Sequence, residues 1–278
     1  MEQKSVYGLT FCISTKAIFG RRSAIWVWTF LLAFFTFGQL LGQNRTTRLD
    51  TGDREEVSKQ AQEGNGVHWG AWEPLFDGDD PGIYWRLKDE DRFPDDRWEV
   101  KGDVLMSLPG RKTGDIMTRE TFSDFDLVFE FKLTDSANTG VKYFVAPLLD
   151  KKGRTTLNGP EYQLIDDINH PSVQGGKSPK TTTGALYLMY APQKNVFLPS
   201  GQWNTGRIIA FGNHVEHWLN GVKVLAYERG SEDFRQRVAD TKFKEYETPY
   251  GEAAEGHILL QYHNDKAFFR KIKIRKGK

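Results

Sequence analysis

The chain has 278 residues, 38% apolar and 27% charged, a composition that fits a folded globular protein and excludes a disordered or fibrous one. With 38 Lys and Arg against 37 Asp and Glu, it has no cation excess to neutralise phosphates, which removes nucleic-acid binding as an electrostatically driven function. The single cysteine, Cys12, excludes an intramolecular disulfide and a thiolate metal centre.

Arg21-Arg22 followed by the apolar run Ala24 to Leu41 has the pattern of a secretory signal, which predicts an exported chain, periplasmic or extracellular, cleaved near Gly42. The alternative is an uncleaved inner-membrane anchor, because the run approaches the about 20 residues that a spanning helix requires. Removing residues 1–42 takes away Lys4, Lys16, Arg21, Arg22 and Glu2, leaving a chain near neutrality with no membrane span. Residues 43–70 are polar, carry charges of both signs and show no period, so they read as a linker. Residues 71–278 read as one all-β domain, rich in Gly and aromatic residues that suit turns and pleated surfaces.

Within that domain, Asp126 to Leu133 alternates Leu127, Phe129, Phe131 and Leu133 with Val128, Glu130 and Lys132, the period of a half-buried strand. Val141, Tyr143 and Val145 oppose Lys142 and Phe144, and Tyr162 and Leu164 oppose Glu161, Gln163 and Ile165. From Arg207 to Tyr227 three strands are separated by Gly212-Asn213 and Asn220-Gly221, and the second pair is a strong hairpin signal. Ser231 as N-cap, with Phe234 and Val238, predicts one short helix of about three turns before Phe243. His257 to His263 and Ala267 to Ile274 return to strands.

Several motifs now stand in order: Leu75-Phe76-Asp77-Gly78, Asn138-Thr139-Gly140-Val141-Lys142-Tyr143, Gly159-Pro160-Glu161-Tyr162-Gln163-Leu164-Ile165-Asp166-Asp167, and His170-Pro171. Gly184-Ala185-Leu186-Tyr187, Gly201-Gln202-Trp203-Asn204-Thr205, Val215 to Gly221, Leu260-Gln261-Tyr262-His263 and Phe269-Arg270-Lys271-Ile272 follow. Over about residues 72–276 the chain resembles the 3-keto-disaccharide hydrolase family. The resemblance implies a concanavalin A-like jelly-roll β-sandwich of two antiparallel sheets with one short helix. It also implies sugars oxidised at C3 as substrates, and hence a functional link to a sugar 3-dehydrogenase. Two positions depart from the family pattern: Lys271 stands where Asn is usual, and Tyr262 where an acidic residue is common.

A C3 ketone acidifies the proton on C2, so a modest general base can form an enediolate that expels the glycosidic oxygen from C1; water then completes a net hydrolysis. Such a site needs a base, a group to hold the enolate oxygen and an acid for the leaving oxygen, rather than the paired carboxylates of an ordinary glycosidase. If the polar strand faces line one concave sheet, Glu130, Lys142, Glu161, Gln163, Tyr187, Arg207, Gln261 and His263 converge there. Of these, Glu161 is the first candidate for base or metal ligand, His263 for base, acid or ligand, and Lys142 for holding the ketone or enolate oxygen. Glu130, Gln163, Tyr187, Arg207 and Gln261 remain as substrate-binding candidates. Asp166, Asp167 and His170 form a loop group that a divalent cation would accept as ligands, although Asp-Asp is also ordinary turn chemistry. His217 shares a face with Val215 and Leu219 and reads as a core histidine, Trp203 as a core anchor, and Arg270 as a structural partner of a sheet carboxylate. The competing function is a non-catalytic carbohydrate-binding module of the same fold.

Overall fold

A computed structural model describes residues 67–110, 113–175 and 178–278. The predicted export segment and most of the predicted linker lie outside the described residues. Among the described residues no helix is long and apolar enough to cross a membrane.

The described chain forms β1 (Glu73–Phe76), β2 (Trp85–Leu87), β3 (Trp98–Lys101), β4 (Val104–Ser107), β5 (Ile116–Thr118), β6 (Phe125–Leu133), β7 (Asn138–Leu149), β8 (Thr155–Asn158) and β9 (Glu161–Ile165). After a long connection come β10 (Asn204–Phe211), β11 (His214–Leu219), β12 (Val222–Glu228), the helix α1 (Glu232–Ala239), β13 (His257–Leu260) and β14 (Ala267–Lys276). One sheet runs β12-β11-β10-β6-β14-β4-β3 with β1 on β14, and the other runs β2-β5-β13-β7-β8 with β9 also on β7. Neighbours in both sheets are antiparallel, and the chain passes repeatedly between them, as a jelly-roll sandwich requires.

The core lies between the sheets. Phe125, Leu127, Phe129, Phe131 and Leu133 of β6 are all at most 1% exposed, and each such side chain contributes roughly 1.5–3 kcal/mol when fully buried. Gly206 lies under the Phe129 ring so closely that a Cβ there would meet the ring at 2.3 Å. Trp85 and Trp98 are buried with their indole N–H groups donating to the carbonyls of Leu75 and Gly114, each at 2.7 Å. The β11–β12 hairpin turns on Asn220 and Gly221, at φ 50° and 79°, the left-handed pair that its tight turn demands. Ser231 caps α1 by accepting from the Phe234 N–H, and the helix has eight residues, about two turns rather than three. Trp69, inside the stretch read as linker, bridges to Gly277 and meets the Phe211 ring edge-on.

His217 is fully buried in this core. Its Nδ1–H donates to the Gly184 carbonyl at 3.0 Å, while the Tyr143 hydroxyl donates to Nε2 at 2.7 Å. Tyr227 lies 2.6 Å from Tyr143 and closes the chain of bonds. Burial lowers the His217 pKa to about 4, so the ring is neutral near pH 7.

Strand β7 departs from the alternation its sequence suggests. Phe144 has φ 49°, and this one left-handed residue shifts the parity. Phe144 joins Tyr143 in the main core, whereas Val145 falls on the outer side with Met117, Leu259 and Leu157. The bulge also divides the strand's labour, because residues before it pair with β9 and residues after it with β8. Two glycines press on it: a Cβ at Gly159 would lie 2.4 Å from the Tyr143 carbonyl oxygen, and one at Gly256 would lie 2.3 Å from the Phe144 carbonyl carbon. Neither backbone contact can swing aside. Gly159→Ala and Gly256→Ala are therefore each expected to lose more than about 2 kcal/mol of stability, read as a fall in the urea midpoint; midpoints equal to the parent's would show that the bulge is not held this way.

Candidate functional site

The outer side of the second sheet carries a row of facing residues. Arg86 pairs with Met117, Met117 with Leu259, Leu259 with Lys142 and Lys142 with Glu161. One step along, Gly140 faces Gln163 on β9 and accepts from the Gln261 N–H beyond β13. Antiparallel register thus brings Lys142, Glu161, Gln163 and Gln261 to one place.

Glu161 is 6% exposed and leans over Gly140, where a Cβ would come within 2.6 Å of Oε1. A glycine inside a strand is costly unless a close approach needs it, and here the carboxylate is that approach. Its near partner is Lys142, with Nζ 3.7 Å from Oε2, too far for a hydrogen bond. Lys142 instead donates to Asn158 Oδ1 at 3.1 Å. Burial pushes the Glu161 pKa up; the charges of Lys142 and Lys242 act against this, Asp115 adds to it, and His263 again opposes it. The outcome is a raised carboxyl pKa beside ammonium groups, suited to taking a proton and giving it back.

The walls are polar. Gln163, 2% exposed, donates from Nε2 to Asn138 Oδ1 at 2.8 Å, while its own Oε1 is buried without a partner. Tyr187 binds the Glu161 carbonyl through its backbone N–H at 3.0 Å. Its hydroxyl pKa is raised by burial and then by the Glu161 charge. Lys242, in a short 3-10 turn, lies 5.0 Å from the Tyr187 ring centre. Asp115 is already engaged, accepting from the Tyr262 N–H at 2.9 Å and pairing with Lys88 at 3.5 Å. His263 is exposed and follows the end of β13 rather than lying in it. Lys242 and Asp115 were not legible as site residues, since both lie in or beside loops whose approach is fixed only by tertiary structure.

The remaining expected site residues lie elsewhere. Glu130 pairs with Arg270 at 2.6 Å and Lys271 at 3.0 Å on the first sheet. Arg207, on the same sheet, holds Asp126 with bonds of 2.7 and 2.8 Å. Strand parity gave their exposure, but it could not tell which of two sheets a strand joins, so the expected convergence on one sheet fails for these two.

The expected divalent site also fails to assemble. Asp166 accepts from the N–H groups of Ser136, Ile168 and Asn169 and from the Asn169 amide, which is turn chemistry. Asp167 accepts from the Thr183 N–H, and burial first of all raises its pKa to about 6. His170 Nδ1 is held by Ser172. Among the described residues no group of three His, Cys, Asp or Glu side chains is placed to hold a metal ion.

The model of the 3-keto-alpha-glucoside-1,2-lyase-like domain matches residues 71–275. The chain belongs to that family. It is 28% identical over 214 residues to a 3-keto-disaccharide hydrolase of Bacteroides thetaiotaomicron, covering 69% of this chain and 73% of the relative. A crystal structure of a candidate glycosyl hydrolase from Parabacteroides distasonis is 29% identical, with a TM-score of 0.64 over 80% of this chain and 96% of that one. A second from the same organism, 24% identical with a TM-score of 0.56 over 74% and 100%, shares the fold. Membership places the chain among glycoside hydrolase-like enzymes.

Two predictions follow from the carboxylate. Gly140→Ala displaces Glu161 and should lower turnover at least about a hundredfold, the scale set by misplacing a reacting group, with the thermal midpoint read alongside; unchanged turnover would remove Glu161 from the chemistry. Because the folded-state pKa of Glu161 is raised, the native state binds more protons than the unfolded one as pH climbs past the ordinary carboxylate range, so ionising Glu161 costs stability there. Glu161→Gln should therefore have a higher thermal midpoint than the parent at pH 8, with the gap narrowing toward pH 4. A gap that widens on acidification would contradict the raised pKa.

Proposed function

We propose that the protein cleaves 3-keto-glycosides, removing the C2 proton and expelling the C1 substituent, with water then adding to give net hydrolysis. The observation that carries this reading is the Glu161 carboxylate: buried, raised in pKa, without a hydrogen bond from any described residue, and 3.7 Å from the Lys142 ammonium. Glu161 is the base. Lys142 holds the oxygen on which enolate charge develops, with the charge of Lys242 also reaching the site, because a fixed cation in a desolvated site stabilises charge as it forms. Tyr187 is the donor to the leaving oxygen; its hydroxyl titrates high and so keeps its proton near pH 7.

An ordinary glycosidase needs two free carboxylates flanking the bond. Asp115, the other carboxylate whose charge reaches Glu161, is committed to Lys88 and a backbone N–H. That favours elimination through an enolate. In this reading the C3 ketone is supplied by a separate sugar 3-dehydrogenase, and residues 1–42 direct the chain to export.

The test is release of chromophore from an aryl 3-keto-glucoside and from its unoxidised parent. Cleavage of the keto sugar alone is expected, with Glu161→Gln lowering kcat by about 10² or more, the range for loss of a general base. Its pH profile should rise with an apparent pKa above the ordinary carboxylate range. Equal cleavage of both sugars, or binding of the keto sugar without cleavage, would overturn the proposal, and the latter result would make the chain a binding module.

A further inference from the structure

Beside the Glu161 site, over the β2, β5 and β13 end of the same sheet, lies a cavity of about 250 Å³ lined by Lys88, Glu90, Arg97, Asp115, Gln261 and neighbouring residues. It joins the site through shared groups. The charge of Asp115 acts on Glu161, and the Gln261 N–H is bonded to Gly140, the residue over which Glu161 leans. From β13 to β9 is two strand spacings, about 10 Å.

Arg97 is the unusual member. Its side chain is only 19% exposed, yet the nearest carboxylate, Asp96, is 3.6 Å from Nε. Nε is buried with no hydrogen-bond partner, and its guanidinium donates to no described residue. A buried Nε–H left unused is costly unless something else accepts from it, and the guanidinium offers further donors in the same plane. The cations around it are met by carboxylates: Lys88 pairs with Asp115, Glu90 with Arg92, Asp96 stands near Arg97 itself, and Asp89 adds a further carboxylate to the lining. A carboxylate or phosphate would meet more negative than positive charge there. A neutral molecule dense in hydroxyls would satisfy both the unused donors and the surplus acceptor lone pairs.

We infer that this cavity is the leaving-group subsite and takes a neutral sugar, with Arg97 donating to its hydroxyl oxygens. The inference rests on Glu161 as the site of cleavage, and it assigns Arg97 a role in binding the part of the substrate that departs.

The experiment compares the parent, Arg97→Gln and Arg97→Lys on two substrates that share the 3-keto-glucosyl group, one with glucose and one with 4-nitrophenol as the leaving group. In Arg97→Gln, kcat/KM for the glucose-leaving substrate should fall about 30-fold or more, a loss in the range for an unmade hydrogen bond to a substrate hydroxyl. It should fall mainly through KM, with partial recovery in Arg97→Lys, while the aryl substrate changes less than about threefold. Equal losses on both substrates, or on neither, would overturn the inference. Saturation-transfer NMR with free glucose separates the two claims. If the parent cleaves neither substrate yet shows transfer to glucose that Arg97→Gln abolishes, the subsite stands and the assignment of Glu161 falls. If the parent shows no transfer, the subsite falls.

Discussion

Strand β7 is the constraint on which the rest of the second sheet depends. Twelve residues serve β13 on one edge and both β9 and β8 on the other. A regular strand would carry one parity through all of these pairings. The left-handed Phe144 breaks it, turning Tyr143 and Phe144 together into the core and leaving Lys142 on the outside opposite Glu161. Bulges re-aim side chains in this way near active sites. Phe144 is held from several sides: its ring lies 5.5 Å from that of Phe125 and 3.6 Å from the Arg229 guanidinium, and its backbone is wedged between Gly159 and Gly256.

The site spends stability that the core supplies. A carboxylate at 6% exposure, without a hydrogen bond from any described residue and with its cation beyond hydrogen-bond reach, is among the costlier arrangements a fold can hold. The same features suit the role of base proposed for it: desolvation raises its proton affinity, and in that proposal the nearby ammonium groups meet the charge that moves onto substrate. The buried Gln163 oxygen without a partner belongs to the same pattern. The buried His217, Tyr143 and Tyr227 chain, by contrast, is hydrogen-bonded from end to end.

Much of this was legible in the sequence, for identifiable reasons. The alternation in β6 and β9, the Asn220-Gly221 hairpin and the Ser231 cap are local signals, and all three appear in the fold. Glu161, Gln163 and Lys142 were found together because parity and strand order suffice when the strands pair directly. What parity cannot carry is sheet membership, which separates Glu130 and Arg207 from the site, or a φ-positive residue such as Phe144, whose aromatic side chain gives no hint of it. The short strands β1 to β5 and β8, of three or four residues each, have too few positions for a period. The Asp166, Asp167 and His170 group shows the reverse error: ligand-type residues close in sequence were consumed by the turn that brings them close. Gly140 answers to a tertiary contact with no local signal, the Glu161 carboxylate that lies over it.

The most direct measurement of the central claim is the rate of cleavage of a 3-keto-glucoside deuterated at C2. If Glu161 removes that proton in the step that breaks the glycoside, the deuterated sugar should react several-fold more slowly under single-turnover conditions. The same experiment in Glu161→Gln should show no C2 exchange with solvent. Equal rates for the protiated and deuterated sugars, with Glu161→Gln as active as the parent, would contradict the account.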